Sequence, residues 1–272
     1  MATIILLLGL TAQIVTPGEA ACAGFISETT LPMNVFIAGM EDDGNSMAGA
    51  NGLIYLNGPG VPEMKPGSTY RAVRAEGAVT DPERGETVGI YYKQLAIVRI
   101  ERVEKEFATA VVMLSCQPVV KGDILLPWVP KPPVTFSGKL SDRLTTYPEN
   151  SIESRIILGK DDIRELASGQ FCFIAVGSRD RVQIGDRFTV YRTQAAFNPQ
   201  ELTVTGTRMD ASYGSEEAVR HRNSVADKLR TRTLPPRPIG DLVVVDVSER
   251  TAVGKIINCL TEIHLGDIVV KR

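Results

Sequence analysis

The sequence holds one structural unit written twice, and this limits the fold more tightly than composition does. A residue type that recurs in both copies belongs to the architecture before it belongs to any activity. Residues 65–74 (KPGSTYRAVR) match residues 184–192 (IGDRFTVYR). Each is preceded by an apolar run, 53–58 (LIYLNG) and 171–177 (FCFIAVG), and each half closes on Gly-Asp, at Gly122-Asp123 and Gly266-Asp267. The glycine pairs 39/159, 58/177 and 67/185 are offset by 120, 119 and 118 residues. The offset then jumps to 142 for Thr109/Thr251 and 144 for Gly122/Gly266, so the second half has gained residues between these anchors. We place the insertion at 213–238, which ends in LPPRP and is mostly basic from Arg220 to Arg237.

Between the repeated turns the chain reads as strands. Residues 242–247 (LVVVDV) and 252–257 (AVGKII) are rich in β-branched side chains, whose crowded Cβ suits a pleated surface. Residues 94–100 and 109–114 occupy the same places in the first half, and charged residues at 101–107 and 248–251 mark hairpin connections. The glycines at 67, 122, 185 and 266 can supply positive φ at tight turns, with Asp123, Asp186 and Asp267 accepting local backbone hydrogen bonds. The expected fold is all-β: a first module over 24–126, a linker over 127–153, and a second module over 154–272. Residues 126–133 (LPWVPKPP) stiffen that linker by fixing φ at each proline.

Ile4 to Leu10 is a compact apolar run followed by small residues at Gly18, Ala20, Ala21 and Ala23, so residues 1–23 read as an export leader. The missing positive flank leaves a buried first strand as the alternative. The run is too short to span a bilayer comfortably, and no transmembrane anchor is expected once a leader is removed. Cys172 and the two cysteines before the closing turns, Cys116 and Cys259, read as small buried hydrophobes rather than a disulfide framework. A Cys116–Cys259 bridge is the one pairing the repeat suggests, and Cys22 is read as leaving with the leader.

The paired turns resemble those of bacterial envelope proteins that carry a duplicated domain similar to the C-terminal domain of flagellar assembly protein T. The resemblance rests on Gly185-Asp186 through Arg192, Asn198-Pro199, Gly240-Asp241-Leu242 and Gly266-Asp267. Gly67, Tyr70, Asp81-Pro82 and Gly122-Asp123 are their first-half counterparts. It implies two tandem SH3-like small β-barrels and a periplasmic or secreted, envelope-associated setting. No catalytic residue comes with it, and the peptidoglycan-binding LysM module of some relatives has no convincing counterpart here.

Chemistry-bearing motifs are sparse. The two histidines, His221 and His264, fit no metal-ligand spacing, and neither a Walker loop, a GxGxxG turn nor a nucleophile elbow is present. Asp161-Asp162 and the acidic run 41–43 lack the spacing of a calcium loop and read as solvated turns. No catalytic, metal or cofactor residue is expected. A formal net charge of -2 gives no electrostatic reason to bind nucleic acid. The reading is a non-catalytic envelope scaffold or adaptor, with a peptidoglycan- or exopolysaccharide-binding module as the alternative. The partner is an envelope protein or a cell-wall glycan, met by candidate contacts Trp128, Arg187, Tyr191, Arg192, Arg220 and Arg222.

Overall fold

The computed structural model describes residues 12–41, 44, 46–81, 84–131, 133–136, 138–193 and 234–272. The described chain begins with β1 (Ala12–Val15) and the single helical turn α1 (Pro17–Ala21), followed by β2 (Phe25–Ser27). A reciprocal cap fixes α1: Glu19 N–H donates to Thr16 Oγ1, and Thr16 N–H donates back to the Glu19 carboxylate. Module one contains β3 (Phe36–Met40), β4 (Met47–Ala48), β5 (Leu53–Asn57), β6 (Thr69–Thr80), β7 (Thr87–Val103), β8 (Phe107–Ser115), β9 (Val119–Val120) and β10 (Ile124–Pro127). β11 (Val134–Phe136) lies in the connecting segment. Module two contains β12 (Glu153–Gly159), β13 (Glu165–Leu166), β14 (Phe171–Ile174), β15 (Arg187–Arg192), β16 (Arg237–Val247), β17 (Ala252–Cys259), β18 (Ile263–His264) and β19 (Ile268–Lys271).

Both modules are closed six-stranded antiparallel barrels. The first runs β3-β5-β8-β7-β6-β10 and returns to β3, with β2 added outside on β7. The second runs β12-β14-β17-β16-β15-β19 and returns to β12. The two orders match strand for strand, and the minor ribbons β4–β9 and β13–β18 match as well. Register repeats with them. Ile100 pairs Ala110 and Arg102 pairs Thr109 across a bulge, as Val244 pairs Gly254 and Asp246 pairs Val253. The bulge between Ala72 and Val73 recurs between Val190 and Tyr191. The glycines at 67, 122, 185 and 266 all have φ between 84° and 93°, the turn conformation that side chains resist.

The change in offset falls at one hairpin tip. Arg74 pairs Lys93 in module one, and its counterpart Arg192 pairs Arg237. Arg237 and Pro238 are therefore strand residues of β16, which corrects the expected C-terminal edge of the insertion. Most of the stretch assigned to the insertion, including Arg220, His221 and Arg222, lies outside the described residues.

Each barrel has its own apolar core. Ile37, Leu56, Leu95, Val98 and Ile100 fill the first, while Ile156, Ile174, Phe188, Leu242 and Val269 fill the second. A third cluster joins them, which alters the picture of two separately closed units. The outer face of β14, β16 and β17 presents Phe171, Phe173, Val243, Val245 and Val253. Val15, Ala23, Ile26, Val79, Val88 and Tyr91 cover that face, from β1, the α1–β2 connection, β2 and the β6–β7 hairpin. Tyr91 meets Phe173 edge to face with ring centroids 5.1 Å apart.

The segment 127–153 is not a free spacer. β11 pairs antiparallel with β1, and Lys131 forms an ion pair with Asp246. Ser141 is buried in module two, where its N–H and Oγ–H both donate to Asp241 at 2.6 Å. Asp241 is fully buried and also accepts from Thr189 Oγ1 and Asn258 Nδ2, so its charge is met by four donors.

The cysteine expectation is overturned too. Cys22 and Cys116 form a disulfide across a separation of 94 residues, with Cα atoms 5.6 Å apart. The bond ties the end of α1 to the end of β8, while Cys259 is a free thiol beside the Thr261 carbonyl. Residues 12–23, read from sequence as part of a leader, are thus packed into the fold. Besides the disulfide, Glu19 accepts a 2.8 Å bond from Lys255 of module two.

Candidate functional site

The residues singled out in the second copy of the repeat support the barrel. Arg192 makes a bidentate pair with Asp267, through Nε at 2.9 Å and Nη2 at 2.7 Å, and Nη2 also donates to the Glu262 carbonyl. Arg74 makes the same bidentate pair with Asp123, both bonds at 2.8 Å. The aspartates cap the same turn in each copy: Asp123 accepts from Val120 N–H and Asp267 from His264 N–H, each at 2.7 Å. The paired carboxylate raises the pKa of both guanidinium groups. A contact made identically in both copies is a brace between strand and turn.

Tyr191 is corrected as an exposed contact. It is 0% exposed, packs edge to face on Tyr147, and donates its hydroxyl proton to the Thr146 carbonyl at 2.8 Å. Alternation along β15 does send Tyr191 away from the barrel core, but the connecting segment covers that outer face. Arg187 is occupied in the same way, with its guanidinium over the Phe136 ring and Nη1 donating to the Lys139 carbonyl. Trp128 is half-buried and extends the β10 ladder, donating N–H to the Thr69 carbonyl at 3.1 Å. These four residues do not converge on one site.

What converges is the junction between modules. A cleft of about 550 Å³ opens where the β6–β7 turn meets module two. Asp81, Arg84, Glu86 and Val88 line one wall; Glu153, Arg155, Ala175, Arg179, Asp180 and Arg250 line the other. Its carboxylates are largely committed. Asp81 accepts from the Arg84 N–H, Asp180 from the Gly177 N–H, and Glu153 from the Tyr147 hydroxyl. Arg179 is tied to Glu249 and Glu28, and Arg155 donates to the Gly266 carbonyl. Arg84 and Arg250 have no side-chain partner among the described residues. The cleft therefore presents one uncommitted guanidinium from each module. A planar guanidinium fits a carboxylate or phosphate through paired donors.

Among the described residues no group of three His, Cys, Asp or Glu side chains is placed to hold a metal ion. His264 lines a separate groove with Val79, Ile157 and Arg164. Burial pushes the Cys172 thiol up to about 12, away from nucleophilic use. No described helix is long and apolar enough to cross a membrane. Sequence reasoning missed the cleft because its two walls, Asp81 to Val88 and Ile152 onward, are far apart along the chain. The signal in the sequence was the long β6–β7 stretch, whose Asp81-Pro82 turn marks the tip that forms one wall.

Compared with models of known protein families the chain matches none, and comparison with curated proteins finds no match either.

Proposed function

We propose that this chain is a non-catalytic scaffold or adaptor of the cell envelope, built from two SH3-like barrels as the resemblance to the duplicated envelope domains implies. It takes an anionic segment of an envelope protein into the cleft between its modules. The observation that carries this reading is the pair of uncommitted arginines, Arg84 and Arg250, on opposite walls of a cleft that exists only because the barrels are joined. The Cys22–Cys116 bond supports export, since such bonds persist in oxidising compartments. The burial of Tyr191 takes away one of the two aromatic contacts, Tyr191 and Trp128, available to the glycan alternative.

The test is capture from an envelope extract by the full chain and by an Arg84→Glu/Arg250→Glu double variant. Specific protein capture that the double variant loses supports the proposal. Capture that is indifferent to both charges overturns the cleft as the contact site. Saturable cosedimentation with purified cell-wall material, without protein capture, would establish the glycan reading instead.

A further inference from the structure

The junction cleft is the first of three hollows that follow one another along a single seam, where β6 and β12 pass in opposite directions. The cleft takes Asp81 and residues 152–155. The His264 groove, about 480 Å³, comes next with Val79, Thr80, Ile157 and Leu158. A pocket of about 320 Å³ lies beyond it, lined by Glu76, Tyr91, Lys93, Leu158, Asp161 and Asp162. Residues 76–80 of β6 line the last two hollows without a gap. Successive side chains of a strand point to opposite faces, so an unbroken run means that β6 turns its edge, main chain included, to the seam. On that edge the described pairing with β10 stops at Val73.

The far pocket is charged in the opposite sense to the two free arginines of the cleft. Lys93 is the cation among its lining residues, 3.3 Å from Glu76 and 3.2 Å from Asp161. Asp161 also accepts from Gln117 Nε2, whereas Asp162 has no partner among the described residues. Three carboxylates against one ammonium leave room for a further cation. Among the described residues these acids are not placed to hold a metal ion. An independent observation points to what enters. Tyr91 is 5% exposed and lines the pocket, and its buried hydroxyl has no hydrogen-bond partner. The Asp161 N–H approaches it without completing a bond. Burial, and then the Asp161 carboxylate, push the hydroxyl pKa up, so it stays protonated. A buried hydroxyl left unpaired is costly, and a neutral oxygen beside surplus carboxylates suits an ammonium group that donates to it. We propose that the seam takes one extended segment of the partner protein, with its acidic part on Arg84 and Arg250 and a lysine side chain in the Tyr91 pocket. The inference rests on the cleft reading above and adds a second anchor to it. Glu76 and Asp81 mark the two ends, five positions apart. At about 3.3 Å per residue the anchors stand roughly 16 Å from one another, so the lysine and the acidic part are about five or six residues apart in the partner. Between them the segment lies along Val79, Ile157 and Leu158, where the edge of β6 can pair it as an added strand. Opposite charges at the two ends fix the direction in which it lies.

The experiment is fluorescence anisotropy of labelled synthetic peptides with the full-length chain. Each peptide has about eight residues, with a lysine at one end, alternating Val and Thr between, and paired glutamates at the other, and it is made in both chain directions. One direction is expected to bind. Replacing its lysine by norleucine, or its glutamates by glutamine, should each weaken binding by about 10-fold. Asp162 has φ of 59°, a conformation asparagine tolerates, so Asp162→Asn keeps the backbone and should weaken the lysine-bearing peptide by about 5-fold. Tyr91→Phe should weaken it by a similar factor without lowering the thermal midpoint, because the free chain has no hydroxyl bond to lose. A tyrosine with a purely structural role would do the reverse. Binding that needs the glutamates, Arg84 and Arg250 but is indifferent to the lysine, Asp162 and Tyr91 overturns this inference and leaves the cleft reading standing. Binding that needs the lysine and the Tyr91 pocket but neither arginine overturns the cleft reading, and the two-ended segment with it. Failure of both peptides to bind at millimolar concentration overturns the inference alone, since capture from extract still decides the cleft.

Discussion

At the residue scale, the repeat separates supporting side chains from those free to act. Asp267 and Asp123 each satisfy one turn N–H and one arginine fork in equivalent places. Replacing Asp267 by Ala leaves Arg192 and the His264 N–H without their acceptor in a half-buried setting. We expect a loss of about 3 kcal/mol, read by urea denaturation. Tyr191→Phe removes one hydroxyl bond and should cost about 1 kcal/mol, with partner capture unchanged. The brace was legible in principle, because Arg and Gly-Asp recur at matching positions in both halves. What alternation along a strand could not disclose is that the outer face of β15 is covered. That depends on residues 136–147 folding back from far along the chain.

Among elements, the N-terminal strap is the least expected and the most consequential. β1, α1 and β2 touch both modules, through the Cys22–Cys116 bond on one side and the Glu19–Lys255 pair on the other. Reducing that bond should cost about 2–4 kcal/mol, measured by urea denaturation with and without reductant and compared with a Cys116→Ser variant. Lys255 and the Thr16 N–H hold the Glu19 carboxyl down from its ordinary 4.5 to about 2. A depressed acid contributes stability above its unfolded value and loses it as pH falls through the folded one. Glu19→Gln should therefore flatten the stability profile between pH 4.5 and about 2 while leaving its shape at neutral pH, as acid titration by circular dichroism will read. The sequence displayed strands and turns because each is a local pattern. It concealed the disulfide because one bridge among four cysteines can be drawn in six ways and spacing selects none.

For the whole molecule, the shared apolar layer makes two barrels behave as one body. Phe173 is fully buried in that layer, whereas its counterpart Tyr55 is exposed. Phe173→Ala should cost about 3–5 kcal/mol, and Tyr55→Ala at the equivalent ladder position far less, in the same thermal unfolding assay. Wild type should melt in one transition, and Phe173→Ala should be the variant in which two become visible by calorimetry. Tandem barrels were readable from the repeat, since equal offsets imply equal units. Their union was not, because Phe171, Phe173, Val243 and Val253 read as ordinary strand residues until the surface across from them is known.

The path of the strap also decides what a protease would achieve. From β1, the first described element, the chain runs over the surface of the second barrel, enters the first, and crosses back along β11 beside β1. A nick in the exposed stretch around Val129 would cut the only covalent tether between the halves, yet the amino-terminal fragment would still wrap its partner like a buckled belt. The two pieces should elute together under native conditions and part only in denaturant.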